Sequence, residues 1–175
     1  MSAKTNSNGR ATGIADTSQV FSPQKNLAPT NTYLTEISDD QGDYSVMQCN
    51  LPAGAIVPLH SHADRETFYV LSGKPSSLTG DQWKELGPGD VVDMRDGIKH
   101  AWKNASQQPA SMLCVTTTKM AKFLRDVSTV SGEVLDPDEQ ARRFVNLVLA
   151  NGYWLASPEE NAAVGLGVNW NGAHD

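Results

Sequence analysis

Long apolar runs and basic stretches are both missing from this sequence. No run among its 175 residues approaches the ~18–20 apolar residues that span a bilayer, and the N-terminal stretch lacks the apolar core of a signal peptide. Basic residues number 14 against 20 acidic ones, a net charge of −6, and no basic stripe is present. Because proteins bind polyanions through basic side chains, this charge argues against nucleic acid as a partner. These absences predict a cytoplasmic protein that binds neither membrane nor nucleic acid.

Cysteine and several catalytic motifs are also scarce. The chain has two cysteines, Cys49 and Cys114, each in an apolar run typical of a strand, and it has no CxxC pair. This excludes a disulfide framework and predicts two buried free thiols. The sequence also has no GxSxG elbow, no phosphate-binding GxxxxGK[ST] loop and no GxGxxG. Serine hydrolase, phosphate-loop and dinucleotide-binding chemistry are therefore not expected.

Three segments follow one another along the chain. Residues 1–32 are small and polar, with few large apolar side chains, which predicts a flexible N-terminal arm. Residues 33–118 contain nine short apolar runs separated by turn formers, the first at 33–37 and the last at 111–117. That pattern predicts an antiparallel sandwich or barrel. Residues 119–175 predict a helical extension that packs on the barrel, with its main helix beginning after Asp136 and ending before Gly152.

Histidines carry the strongest chemical signal. His60 and His62 are two residues apart on a predicted strand, so their imidazoles point to the same face. Glu66 begins the next strand, on a face that it shares with apolar residues, and a buried carboxylate there needs a cation or another partner. His100 comes from a further strand. Three imidazoles and one carboxylate suit a divalent Fe, Mn, Co, Ni, Cu or Zn ion and would leave about two coordination positions open.

The segments around these residues resemble the two motifs of the cupin superfamily. Residues 54–73 are similar to the first motif, in which a glycine, HxH, a glutamate and a second glycine follow at fixed spacing. Residues 89–104 are similar to the second motif, although Arg95 stands where the family usually has proline. The resemblance implies a mainly β fold, a double-stranded β-helix or jelly roll. It also implies that His60, His62, Glu66 and His100 are the metal ligands.

The same resemblance implies an oligomeric state. Single-domain cupins of this size usually form homodimers, often by exchanging N-terminal strands. The segment before residue 39 is the candidate for such an exchange.

Apolar residues near the predicted ligands define a substrate pocket. Phe68 and Trp102 each lie two residues from a ligand on the same strand face, so they would line a cavity beside the metal. Val70, Met112 and Cys114 are expected behind them. Such a wall suits a flat or aromatic small-molecule substrate.

Three functions remain open at this point. The resemblance to quercetinase-like cupins favours a metal-dependent dioxygenase that acts on a flavonol-like or catechol-like substrate. A metal-dependent isomerase, lyase or decarboxylase of a small oxygenated acid or sugar derivative would use the same ligands, because the fold does not determine the chemistry. A non-catalytic module that binds a metal or a small molecule is the third. In an enzyme, Glu66 is also a candidate general base.

Overall fold

The strands of the described residues form two antiparallel sheets. A computed structural model describes residues 17–19, 28–35, 37, 44–132 and 136–168. The six-stranded sheet contains, in spatial order, β1 (Thr17–Gln19), β2 (Thr30–Tyr33), β3 (Tyr44–Leu51), β10 (Ala110–Thr117), β5 (Glu66–Ser72) and β8 (Val91–Met94). The five-stranded sheet contains β11 (Trp154–Leu155), β4 (Ile56–Ser61), β9 (His100–Lys103), β6 (Ser76–Thr79) and β7 (Gln82–Glu85).

Alternation along the strands places one apolar core between the sheets. In β5, Phe68 and Val70 are buried while Tyr69 and Leu71 are exposed, as expected for a sheet with one covered face. The core draws on both sheets and contains Tyr33, Met47, Phe68, Trp102 and Met112. This arrangement confirms the predicted fold class, a mainly β jelly-roll type followed by C-terminal helices.

Three helices follow the sheets: α1 (Thr118–Gly132), α2 (Pro137–Ala150) and α3 (Pro158–Ala163). Asp136 caps α2 by accepting hydrogen bonds from the main-chain N–H groups of Asp138 and Glu139, which satisfies two donors of the first turn. Helices α1 and α2 pack together through an apolar cluster that includes Phe123 and Phe144 and contacts Ile56 of β4. Within the described residues, no helix is both long and apolar enough to cross a bilayer.

The N-terminal part of the chain contributes strands to the larger sheet. β1 and the first three residues of β2 fall within residues 1–32, which the sequence predicts as a flexible arm. β2 ends at Tyr33, whereas sequence reasoning placed the first strand at 33–37. β2 forms because its backbone pairs with β3 and because Tyr33 is buried in the core together with Met47 of that strand. Side-chain composition does not predict this pairing, because main-chain hydrogen bonds form it. Most of residues 1–32 lie outside the described residues, and exchange of N-terminal strands in a homodimer stays a prediction.

Gly73 follows β5 and lies in close contact with Ala110 at the start of β10. Its φ is +80°, and a Cβ built there would lie 2.5 Å from Ala110 Cα and 2.7 Å from Pro109 O. A side chain at such a φ costs about 1–2 kcal/mol, and overpacking adds about 1–3 kcal/mol. We therefore expect Gly73→Ala to lower the free energy of unfolding by about 3 kcal/mol, measured by chemical denaturation. Gly80→Ala is the matched control, because φ is +67° there with no atom within 4 Å of the built Cβ. An equal loss in both variants would contradict the expectation.

Candidate metal centre

Two strands of the smaller sheet bring three histidines together. His60 lies near the end of β4, His62 follows that strand, and His100 begins β9, where it pairs directly with His60. Their ligand atoms all lie within 4.8 Å of one another. The turn that carries Arg95 also contacts this centre, because the main-chain N–H of Gly97 donates to the carbonyl of His62 at 3.0 Å. The departure from the family's proline therefore leaves His100 within the cluster.

Hydrogen bonds at Nδ1 determine which nitrogen of each imidazole faces its neighbours. Nδ1 of His60 lies 2.7 Å from Pro58 O, that of His62 lies 2.8 Å from Asp64 O, and that of His100 lies 2.8 Å from Ile98 O. A main-chain carbonyl only accepts, so Nδ1 carries the proton in all three rings. In the neutral form each Nε2 then presents a lone pair. Metal-bound histidines show this arrangement, in which a partner on the second nitrogen orients the ring.

Glu66 lies next to the imidazoles at the first position of β5. Its Oε2 is 3.4 Å from Nε2 of His62 and 3.5 Å from Nε2 of His100, and all three side chains are buried. Neither contact has hydrogen-bond alignment, and both Nε2 atoms are buried without a hydrogen-bond partner among the described residues. Buried polar atoms are rarely left unpaired. Unpaired lone pairs beside a carboxylate are what a bound cation satisfies, so the residues fit a divalent metal ion.

The pKa values of the cluster reflect this crowding. Burial by itself would raise the pKa of Glu66, but His100 and His62 outweigh burial and lower that pKa well below its usual range. Burial lowers the pKa of His62, yet the Glu66 carboxylate outweighs it and the net shift is upward. For His60, burial and the two other imidazoles together lower the pKa well below its usual value. At neutral pH the cluster therefore holds an ionised carboxylate and a neutral His60.

A cavity of about 110 Å³ borders the metal cluster and is walled mainly by apolar side chains. His60 and Glu66 line it, together with four of the residues predicted for the pocket, Phe68, Trp102, Met112 and Cys114. The Phe68 and Trp102 rings contact each other edge to face at 4.7 Å between centroids.

Val70 and Cys114, both predicted for the pocket, differ in their relation to the cavity, because Cys114 lines it and Val70 does not. Val70 shares a sheet face with Phe68 but is fully buried in the core with Leu86 and Met94, away from the cavity wall. Cys114 and Cys49 are both free. Contact with Cys49, and then burial, raise the pKa of the Cys114 thiol, so it stays neutral.

The other half of the wall comes from residues that sequence reasoning did not place at the site. Helix α1 contributes Met120, Phe123 and Leu124, helix α2 contributes Phe144 and Val148, and the segment after α2 contributes Tyr153, Trp154 and Leu155; Pro29 and Asn31 complete the wall from the N-terminal side. Helical periodicity did mark the apolar face of α2. It does not say against which strand that face packs, so no local signal identified these residues as part of a site.

Asp64 connects this second half of the wall to the metal cluster. Its buried carboxylate accepts hydrogen bonds from Thr117 Oγ1, at the end of β10, and from Tyr153 Oη at 2.7 Å. Lys119 Nζ lies 3.9 Å from the same carboxylate. Burial, and then Asp64, raise the pKa of Tyr153, so its hydroxyl keeps its proton and donates. The Tyr153 ring also packs on the His62 ring, with centroids 5.4 Å apart.

Residues 47–116 match the family model of a cupin domain. This part of the chain is a cupin domain. The match contains all four predicted metal ligands and ends before α1, so the helices that contribute to the cavity wall lie outside it. No curated protein matches the sequence.

Several solved structures are similar in fold. An RmlC-like cupin from Shewanella frigidimarina NCIMB 400 is 13% identical, with a TM-score of 0.50 over 66% of this chain and 92% of that one. The polyketide cyclase RemF from Streptomyces resistomycificus is 21% identical, with a TM-score of 0.48 over 51% of this chain and 65% of that one. A predicted oxalate decarboxylase from Thermotoga maritima is 22% identical, with a TM-score of 0.48 over 51% and 80%. At these identities the likeness concerns the fold alone.

Proposed function

We propose that this cupin holds one divalent transition metal ion through His60, His62, His100 and Glu66, and that it is a dioxygenase of small oxygenated aromatic substrates. One observation carries the proposal. Three imidazoles, oriented by main-chain carbonyls, converge with a buried carboxylate at a cavity that apolar side chains wall. A metal ion bound there supplies Lewis acidity and open coordination positions.

The cavity wall supports the choice of substrate. Apart from the metal cluster, its polar side chains are few: Asn31, the two thiols, Tyr153 and the indoles. The hydroxyl of Tyr153 is already used by Asp64. A sugar-derived acid needs several hydrogen-bond partners for its hydroxyl groups, because desolvated polar groups without partners are costly. A flat aromatic ring needs contact area instead, and Phe68, Trp102, Phe123 and Phe144 supply it.

The chain's own residues have distinct parts in this function. Phe68 and Trp102 orient the substrate ring next to the ligands, and the walls from α1 and α2 exclude water from it. Glu66 is ionised at neutral pH, which suits a metal ligand, whereas its lowered pKa makes it a weak proton acceptor and disfavours the general-base role. Holding the reacting groups in one orientation supplies much of the rate enhancement in such a site.

Loss of one imidazole should abolish metal binding. We expect His62→Ala and His100→Ala, purified anaerobically, to retain little or no Fe, Mn, Ni, Co, Cu or Zn in elemental analysis, because each removes a ligand and leaves the others in an incomplete site. His174→Ala, which removes the histidine near the C-terminus, serves as the matched control. Occupancy equal to that of the wild type in the cluster variants would refute the ligand assignment.

The affinity for the metal should fall as the pH is lowered. The imidazoles bind a metal only when neutral, so protonation competes with binding. The raised pKa of His62 means that competition begins near or above the ordinary histidine value of ~6.5. Below that pH we expect affinity to drop about tenfold per pH unit for each proton that the metal must displace. Equilibrium dialysis across a pH series measures this, and occupancy that stays constant down to about pH 4 would contradict it.

Oxygen consumption separates the candidate reactions. With a panel of flavonols and catechols, we expect the Fe(II)-, Mn(II)- or Ni(II)-loaded protein to consume O₂ in proportion to substrate, and isotopically labelled dioxygen to appear in the product. His100→Ala, taken through the same metal-loading procedure, is the control. Turnover that persists without O₂ would instead favour an isomerase, lyase or decarboxylase. Tight substrate binding without turnover under any of these metals would favour a binding module.

A further inference from the structure

Asp64 occupies a central position in the loop between two proposed ligands. It lies two residues after His62 and two before Glu66, and its main-chain carbonyl accepts the hydrogen bond from Nδ1 of His62 at 2.8 Å. Any shift of this carbonyl would turn the His62 ring, because the ring's orientation is set by the partner of Nδ1. What immobilises Asp64 therefore also orients His62.

Residues that follow the segment matched by the cupin model bind the side chain of Asp64. Thr117 Oγ1 donates to Oδ1 and itself accepts the main-chain N–H of Met120 at 3.0 Å, which ties Asp64 to the first turn of α1. Tyr153 Oη donates to Oδ2 at 2.7 Å from the segment that follows α2. Oδ1 is thus bound by the last residue of β10 and Oδ2 by the C-terminal extension, and the carboxylate is buried. A charge-assisted hydrogen bond at a buried carboxylate is among the stronger contacts in a protein.

Tyr153 makes a second contact in the same direction. Its ring packs on His62 on one side and meets Phe123 of α1 edge to face at 4.9 Å on the other. The residue is buried and lines the cavity. One side chain therefore touches a proposed ligand, the carboxylate beside that ligand, and the helical wall.

We propose that Tyr153 is a positioning residue of the metal centre, which orients His62 through Asp64, so that the C-terminal extension sets the affinity of the cupin site for its metal. The inference rests on the proposed function, because it requires His62 to be a ligand. It goes beyond that function in assigning a role in metal binding to a segment outside the cupin domain. Removal of the Tyr153 hydroxyl should disturb the coordination of the metal as well as the stability of the fold.

Tyr153→Phe tests the inference, because it keeps the ring against His62 and removes only the hydrogen bond to Asp64. Zn(II) affinity is measured by chelator competition, and the coordination is read from the visible absorption of the Co(II)-loaded protein. We expect about tenfold weaker Zn(II) binding, the lower end of the effect of losing an outer-shell partner, together with an altered Co(II) spectrum. Tyr69→Phe is the matched control, since Tyr69 lies on the exposed side of β5 away from the cluster; its affinity and spectrum should equal those of the wild type.

A double-mutant cycle with Asp64→Asn establishes the route of the effect. Asp64→Asn keeps the carbonyl that binds His62 but removes the charge that Tyr153 and Thr117 hold. If Tyr153 acts through Asp64, the double variant should bind Zn(II) no more weakly than the weaker single variant, because both changes break the same link. Should Tyr153→Phe fail to fold, Asp64→Asn alone still reports on the link through the Co(II) spectrum.

The outcomes separate the two proposals. Wild-type protein that binds neither Zn(II) nor Co(II) at the histidine cluster would overturn the proposed function and this inference with it. Wild-type protein that binds both metals, with affinity and Co(II) spectrum unchanged in Tyr153→Phe, would overturn the inference alone. Weaker binding with an unchanged spectrum and additive effects in the cycle would mean a general loss of stability and would also overturn it.

Discussion

Three hydrogen bonds from Nδ1 to main-chain carbonyls underlie the whole site. Each bond joins a histidine to a carbonyl two residues away, at Pro58, Asp64 or Ile98, so the local backbone orients the ring. These bonds fix the tautomer in all three rings, and the Nε2 atoms of His62 and His100 lie beside Glu66. The Nε2 atoms of His62 and His100 are buried, and within the described residues no donor forms a hydrogen bond with either of them. The two sheets are the framework that holds this arrangement in place.

The fold encloses the cluster at a local energetic cost. Burial disfavours an ionised carboxylate, yet the imidazoles keep Glu66 charged. The smaller sheet supplies all three histidines, from β4 with its following residues and from β9, while Glu66 comes from β5 in the larger sheet. The site therefore lies between the two sheets, and its geometry depends on their packing. Functional sites often carry such a local cost, which the surrounding core offsets.

The cavity has two origins. Strands of the cupin domain form the wall nearest to the ligands, with Phe68 and Trp102, and the C-terminal helices form the wall opposite, with Phe123 and Phe144. The ligands lie within the segment that defines the family, whereas much of the surface that a substrate would touch does not. The segment that matches the family is in this way combined with a binding surface from outside it, which agrees with the general separation of fold from function.

The sequence by itself determined the fold class, the candidate ligands and part of the inner wall, because these follow from local rules. Alternation along a strand places His60 and His62 on one face, and the turn-bounded runs define the strands. It did not determine that Tyr153 and Thr117 hold Asp64, that residues 30–33 pair with β3, or that Val70 lies beyond the cavity. Those features depend on contacts between residues far apart in the chain, and an amphipathic helix or a polar strand is compatible with many such contacts. Only the packing of the complete chain selects one of them.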